Sequence, residues 1–462
     1  MSSRVLLLRR LGRLKETNRR WKETVFKMDV GSQREQNSGP IIPQLSKYHV
    51  DDDTNRERDD EPVIPLNPIE TPNPLTLSAL PHDLLRSIFE RLSFADFHRA
   101  KIVCSTWNSI SKQTVPKEIR SPWLILFPDD GVNGCVLYNP DEDRIYKSVR
   151  DFSGTIFLAN SGNWFLVMDS KSNLYIIDVF SENRIDLPPL ESLMSDNFTF
   201  ERKGDKKFRW QVTNLPDALI VRYPKAEELR GLLWVDEKTE EFVAVWFFEY
   251  SCNFLAFHKK GDDHYRHIQL QSVLLPDVFV SVSDIVLRGY FLYIARSTDY
   301  IQILDLSKQQ GFEDVTQNDS FNMLSRSGPW GYQIILRIVV TTSGEVLVVI
   351  NNLYETNIES RKSFRLFKKD PIPHPNKHYN SLVEVDSLGD EEALLLDLGI
   401  TVPGIEPNSI YFTRYDRVFH QWDLRESNLD ICVFNLETKT LKRFPSLSDM
   451  KLKDARWFLP CI

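Results

Sequence analysis

"LPHDLLRSIFERL" (Leu80–Leu92), with "VCSTW" following at Val103–Trp107, is the helical block of a chain patterned elsewhere for strands. Pro81 suits the first turn of a helix, where its missing N–H costs nothing, and Asp83 complements the positive helix end. Leu84, Leu85, Ile88, Phe89 and Leu92 repeat at helical spacing. Ser93 and Asp96 approximate a capping box and predict a second helix presenting Phe97, Ala100 and Val103. A third begins near Ser105, carries Trp107 and Ile110, and is stopped before Pro116. Three short helices in about 40 residues sit near the lower size limit for independent stability, so such a unit tends to leave apolar surface for a partner or neighbouring domain to cover.

Upstream of this block the pattern is different. Residues 1–27 carry nine Lys or Arg against Glu16 and Glu23, and the apolar run Val5–Leu8 is too short for a secretory core. A basic, poorly ordered tail is expected, with an Arg-rich organelle leader as the alternative. From Asp29 to Pro74 the chain holds "DDDTNRERDDE" and seven prolines, with few apolar side chains to offset the entropy of ordering, so it reads as a solvated spacer.

Downstream of Ser121, short apolar runs alternate with polar turns. One pattern recurs: "CVLYNPDEDRIYKSV" from Cys135, "LYIIDVFSENRIDLP" from Leu174, "LAFHKKGDDHYRHI" from Leu255 and "ICVFNLETKTLKRFP" from Ile431. "IQILDLSKQQGFEDV" from Ile301 and "FRLFKKD" from Phe364 are looser copies. The first two start 39 residues apart, and the wider gaps divide into similar steps, the spacing of four-stranded propeller blades. "FVAVWFF" (Phe242–Phe248) and "EVLVVI" (Glu345–Ile350) would fill the remaining blade positions. The degenerate copies leave a β-sandwich as the alternative. Neither common repeat signature fits: there is no Gly-Gly pair, and Trp-Asp occurs once, at Trp422–Asp423.

The 462 residues suggest two or three units, and the net charge of −8 gives no general support for nucleic-acid binding. Five scattered cysteines without CxxC spacing suit a reducing compartment, and no apolar run is long enough to span a bilayer. A soluble protein of the cytoplasm, the nucleus or both is expected, without nucleic-acid or membrane partners.

Leu80-Pro81, Asp83-Leu84-Leu85, Ile88, Arg91-Leu92, Asp96, Arg99, Val103-Cys104 and Trp107 resemble an F-box over essentially the whole motif. That resemblance implies a three-helix module that docks on a Skp-type adaptor and, through it, on a cullin scaffold and a RING protein. "RIDLPPL" (Arg184–Leu190), "LVEVDSLGDEEALLLD" (Leu382–Asp397) and "PNSIYFT" followed by "DICVFNLETKTLKRF" resemble plant F-box proteins carrying a KIB-type β-propeller. In that family "SLGD" is commonly followed by a Phe-containing stretch; "EEALLLD" here departs from it, which puts local packing in doubt.

The expected fold is therefore multidomain: a disordered leader (1–74), an all-α three-helix F-box (75–118), an all-β propeller-like domain of six to eight blades (121–450), and 451–462 as a tail or closing segment. Adaptor-binding residues are expected to be Leu80, Pro81, Asp83, Leu84, Leu85, Ile88, Leu92, Val103 and Trp107. Of these, Leu80, Pro81, Leu84 and Ile88 are placed against the adaptor, while Phe89 and Trp107 pack inside the module. The competing reading makes all these apolar residues the module's own core.

No catalytic signature appears: there is no G-x-S-x-G, no G-x-x-x-x-G-K, no H-E-x-x-H and no dinucleotide fingerprint. His258, Asp262, Asp263, His264 and His267 form the best metal-like cluster. On a hairpin His264 and His267 point to opposite faces, so a solvated turn is expected, as it is for Asp141 and Asp143. "FKKDPIPHPNKHY" (Phe367–Tyr379) reads as a connector, and Tyr332, Tyr411 and Trp422 as recognition aromatics or blade packing. No cofactor is expected. The implied function is that of a non-enzymatic substrate receptor of an SCF-type ubiquitin ligase, holding an unidentified target. The alternatives are an F-box interaction protein outside any ligase and, more remotely, a propeller hydrolase.

Overall fold

A computed structural model describes residues 81–460 apart from internal stretches, the longest being 115–120, 214–219, 271–281, 317–333, 353–362, 371–381 and 414–428. The leader 1–74 and Leu80 lie outside the described residues. Two compact units are present, one helical and one of strands.

In the helical unit α1 is His82–Phe89 and α2 is Ser105–Ser111. Pro81 stands one position before α1 rather than in its first turn, with its carbonyl accepting the Leu85 N–H at 3.1 Å. The expected periodicity through Leu92 outlasts the helix, because Glu90–Leu92 form a turn. Asp96, Phe97 and Ala100 are helical, but 98–99 are not described, so a complete middle helix is not traced. Leu85, Phe89, Phe97, Ala100 and Ile110 form the core, with Leu92 and Trp107 packed on it. Phe89 meets Phe97 and Trp107 edge-on at 5.3 and 5.5 Å, the arrangement ring quadrupoles favour. Val103 is 54% exposed in a bend and packs in none of the described core clusters.

The strand unit is a β-propeller. Among the described residues it has six blades. Blade 1 runs Leu452–Phe458, Trp123–Pro128, Val136–Asn139, Arg144–Lys147 from the inside outward, and blade 2 runs Ile156–Ser161, Trp164–Met168, Leu174–Asp178, Arg184–Asp186. Blade 3 is Leu229–Asp236, Glu241–Phe248, Phe254–Lys259, Arg266–Gln269; blade 4 is Val282–Arg288, Phe291–Arg296, Ile301–Asp305, Glu313–Asp314. Blade 5 is Ile334–Val340, Val346–Asn352, Ser363–Lys369, Leu382–Val385. Blade 6 has five strands, in the order Ile400–Pro403, Glu392–Leu395, Ser409–Phe412, Cys432–Asn435, Leu441–Arg443, and joins blade 5 through one parallel pair, Val340 with Ile400.

Each of the six sequence copies contributes outer strands of one blade. Their even spacing, however, does not hold. Between blades 2 and 3 a three-stranded sheet (Phe198–Arg202, Phe208–Val212, Val221–Arg222) occupies the place of an expected copy. Gly231 on the inner strand of blade 3 directly meets Leu158 and Leu166 of blade 2, so the inner edges of these blades touch and the third sheet fills the angle outside them. Its Phe198, Phe200, Phe208 and Trp210 share one core with Trp246, Phe248 and Phe254 of blade 3 and Leu166 and Ile176 of blade 2.

Residues 451–462 contribute a structural strand. Leu452–Phe458 pairs antiparallel with Trp123–Pro128, so the first blade combines the two ends of the strand unit. The Asn160 amide donates to the Trp457 carbonyl at 3.1 Å, and Arg456 donates to Leu158 O at 2.9 Å, linking this strand to blade 2. Trp457 also packs with Leu395, Val402 and Tyr411 of blade 6.

Candidate functional site

In the helical unit, α1 has two apolar faces. Leu85 and Phe89 are fully buried; Leu84 and Ile88, one turn apart, are 55% and 40% exposed. Of the residues expected at the adaptor, Pro81 and Asp83 are exposed beside this face, Val103 is exposed in its bend, Leu85 lies in the core, and Leu92 and Trp107 are half-buried against it.

In the propeller, the inner strands line a narrow pocket and a wide one that meet at Leu232 and Leu398; we call them the two ends of the central channel. The narrow end is charged. The buried Glu249 carboxylate accepts from Arg230 at 2.7 Å, and Asp284 accepts from Arg337 at 3.5 Å and from the Ile338 N–H at 2.9 Å. Burial nevertheless pushes the Asp284 carboxyl up from its usual value, against the pull of Arg337. Asp397 accepts the Thr413 hydroxyl at 2.5 Å. Between the two ends Gly399 packs on Val286: it has φ +68°, and a β-carbon there would overlap the valine. Only glycine fits this turn and this approach.

The wide end is a cavity of about 690 Å³, opening on the side of the innermost hairpin turns. Leu232, Leu287, Leu395, Leu398 and Ile400 form apolar walls, while Glu237, Thr342 and Ser343 stand exposed at the rim. Arg288 ends the inner strand of blade 4. Register pairs Arg288 with Phe291 and Val286 with Tyr293, so Arg288, Phe291 and Tyr293 share one sheet face, and all three line the cavity. Arg288 Nη1 donates to Val340 O at 3.0 Å and Thr401 O at 3.2 Å. Among the described residues no carboxylate lies within ion-pair distance of this guanidinium. Burial lowers its pKa from the ordinary value; Glu392 and Tyr293 oppose that shift electrostatically. Sequence reasoning missed Arg288 and Tyr293, because an isolated Arg and Tyr beside a hairpin turn form no motif.

The histidine cluster is divided. His258 is 4% exposed, stacked on Phe242, with Nε2 2.9 Å from the Asp262 carbonyl, so at that position the expected solvated turn is instead a buried contact. His264 contacts Asp263, while His267 Nδ1 lies 3.0 Å from Met194 O. Asp143 accepts from the Tyr138 hydroxyl at 2.6 Å, and Asp141 from Ser121. Tyr411, considered for recognition, is buried in blade packing; Tyr332, Trp422 and residues 371–381 lie outside the described residues. In the "SLGD" turn, the Asn408 side-chain carbonyl accepts from Ser387 Oγ at 2.9 Å and the Leu388 N–H at 2.8 Å, while the departing "EEALLLD" supplies buried Ala393, Leu394 and Leu395.

The family model described as an F-box domain matches residues 77–118, and the KIB1-4 beta-propeller model matches 137–435. The chain belongs to the plant F-box proteins with a KIB1-4 β-propeller. It is 76% identical to F-box protein At2g14500 of Arabidopsis thaliana over 76% of this chain and 99% of that one. F-box protein At2g14290 of the same plant is 54% identical over 85% of this chain and 99% of its own, and F-box protein At5g25290 is 52% identical over 83% and 96%. An F-box implies a Skp-type adaptor as partner in general, and among the described residues of this module Leu84 and Ile88 are exposed apolar side chains on α1.

Proposed function

We propose that the protein is the substrate-recognition subunit of an SCF-type ubiquitin ligase. In this reading the F-box docks on a Skp-type adaptor, the adaptor joins it to a cullin and a RING protein, and the propeller holds the target. The observation that carries the reading is the exposure of Leu84 and Ile88 on a helix whose other face is already buried by the module's own core. Because both are already about half buried, completing their burial contributes on the order of 1 kcal/mol each, part of what holds the module to its partner. In this reading no acid, base or nucleophile need come from this chain. Tethering makes the meeting of target lysine and charged conjugating enzyme effectively intramolecular. The place of action is then the cytoplasm, the nucleus or both.

Co-purification of the full chain with a Skp-type adaptor and a cullin tests this. The wild type should retain both, and Leu84→Asp/Ile88→Asp should lose both. Failure of the wild type to take the adaptor refutes the reading, and retention of adaptor without cullin favours an F-box protein acting outside a ligase.

A further inference from the structure

We propose that the wide end of the propeller channel is a binding site for a carboxylate carried on an apolar, preferably aromatic, body. This goes beyond the ligase reading and does not depend on it. The size fits: about 690 Å³ falls within the range of small-ligand sites, which are typically roughly 300–1,000 Å³ with apolar walls and a few fixed polar groups. The walls are Leu232, Leu287, Leu398 and Ile400, with the Phe291 ring, 42% exposed, at the side.

The polar chemistry selects the charge. Arg288 brings a fixed cation to this wall, and its two hydrogen bonds to described residues, both from Nη1, end on neutral backbone carbonyls. These carbonyls hold the guanidinium in place without neutralising it. Nε and Nη2 make no hydrogen bond to a described residue, which leaves the fork geometry that receives a carboxylate bidentately. Tyr293 stands on the same sheet face, 7% exposed, and its hydroxyl also has no hydrogen-bond partner among the described residues. A ligand without an acceptor here would leave both donors unpaired, and a neutral carbonyl would accept from them without matching the guanidinium's charge, so a carboxylate makes the stronger, charge-assisted pair. The opposite end of the channel differs in just this respect: Arg230 is paired with Glu249 and Arg337 with Asp284.

The same chemistry can come from a free small acid or from an acidic side chain of a bound protein, and the test separates them. Ligand-observed NMR on the full-length protein would use matched pairs of arylalkyl carboxylates and their neutral amides (4-phenylbutyrate and 4-phenylbutanamide first). A blocked tripeptide containing adjacent Phe and Asp would be run beside its Asn counterpart. The carboxylate member of a pair is expected to bind and the amide not. Binding of the free acids marks a small-molecule site, and binding of the peptide alone marks a side-chain pocket. Tyr293→Phe, which breaks no hydrogen bond to described residues, should weaken binding about tenfold. Leu398→Trp, which puts an indole on the apolar wall and narrows the cavity, should weaken it as well. Equal binding of acids and amides, binding undiminished in Leu398→Trp, or no binding by any carboxylate would overturn the proposal.

Discussion

The Trp457 indole N–H donates to the Phe412 carbonyl at 3.1 Å, so the innermost strand of blade 1 is pinned to blade 6 as well as to blade 2. The indole is fully buried and edges against Tyr411 at 5.1 Å. Trp457→Ala should therefore lower propeller stability by about 3–5 kcal/mol, the cost of a large aromatic cavity. Trp457→Phe should cost less, because it keeps part of the ring and loses the hydrogen bond. Guanidinium denaturation followed by intrinsic fluorescence and circular dichroism would rank the two.

Two glycines should respond differently to an added methyl group. Gly399 has φ +68° and is packed on Val286, so Gly399→Ala meets both a backbone cost of roughly 1–2 kcal/mol and an overpacking cost of about 1–3 kcal/mol. At Gly231 the new carbon would lie 2.8 Å from Leu166 Cδ2 and 3.0 Å from Leu158 Cβ, with no left-handed backbone to strain. Gly231→Ala should cost the overpacking part alone. Adding Val286→Ala to Gly399→Ala should relieve the clash with the valine but leave the backbone cost and the 3.1 Å approach to the Ile338 carbonyl, which a double-mutant cycle of unfolding free energies would show.

His258 should make the propeller acid-sensitive. Burial holds its imidazole below the ordinary value of 6.5 and outweighs the pull of Asp262 and Asp263. The folded state therefore binds this proton less readily than the unfolded chain. Stability from this group is complete above about pH 6.5 and declines as the pH falls through the window below it. In melting temperatures measured from about pH 7.5 to about pH 5.5, His258→Phe, which keeps a ring against Phe242, should show a flatter decline than the wild type. Equal slopes would remove the histidine from the explanation.

The two faces of α1 should separate stability from binding. Phe89→Ala removes a fully buried ring that contacts Phe97 and Trp107, and should cost about 3–5 kcal/mol in the helical unit. Leu84→Asp/Ile88→Asp changes exposed positions and should leave helix content and thermal unfolding nearly unchanged while abolishing adaptor capture. Circular dichroism on both variants, with pull-down of a Skp-type adaptor, gives the comparison.

Much of this fold was legible because its outer hairpins repeat. The runs from Cys135, Leu174, Leu255 and Ile431 each join a short apolar strand to a turn and a second strand at the exposed edge of a blade, where turn chemistry is local. Blade count was less accessible. Phe198–Arg202 and Phe208–Val212 alternate buried and less buried residues as blade strands do, yet they form an intervening sheet, and only tertiary contact through Gly231 shows it. Spacing failed for the same reason, since that sheet stretches the interval between copies. The F-box residues were legible as a set, but periodicity alone did not tell inward Leu85 from outward Leu84. The cavity was not legible: Arg288 and Tyr293 acquire a shared role only when register places them on one face.

The pairing of Leu452–Phe458 with Trp123–Pro128 also sets a hazard during synthesis. All six residues of "WLILFP" are buried in the finished molecule, and the strand that covers one side of them is translated last of all the blades. At about 5–20 residues per second, roughly 15–65 s pass between the making of these two partners. Throughout that interval the nascent chain carries a bare, greasy edge that invites pairing with other chains. Chaperone cover over this interval, rather than the stability of the completed ring, would then set how much of the protein matures.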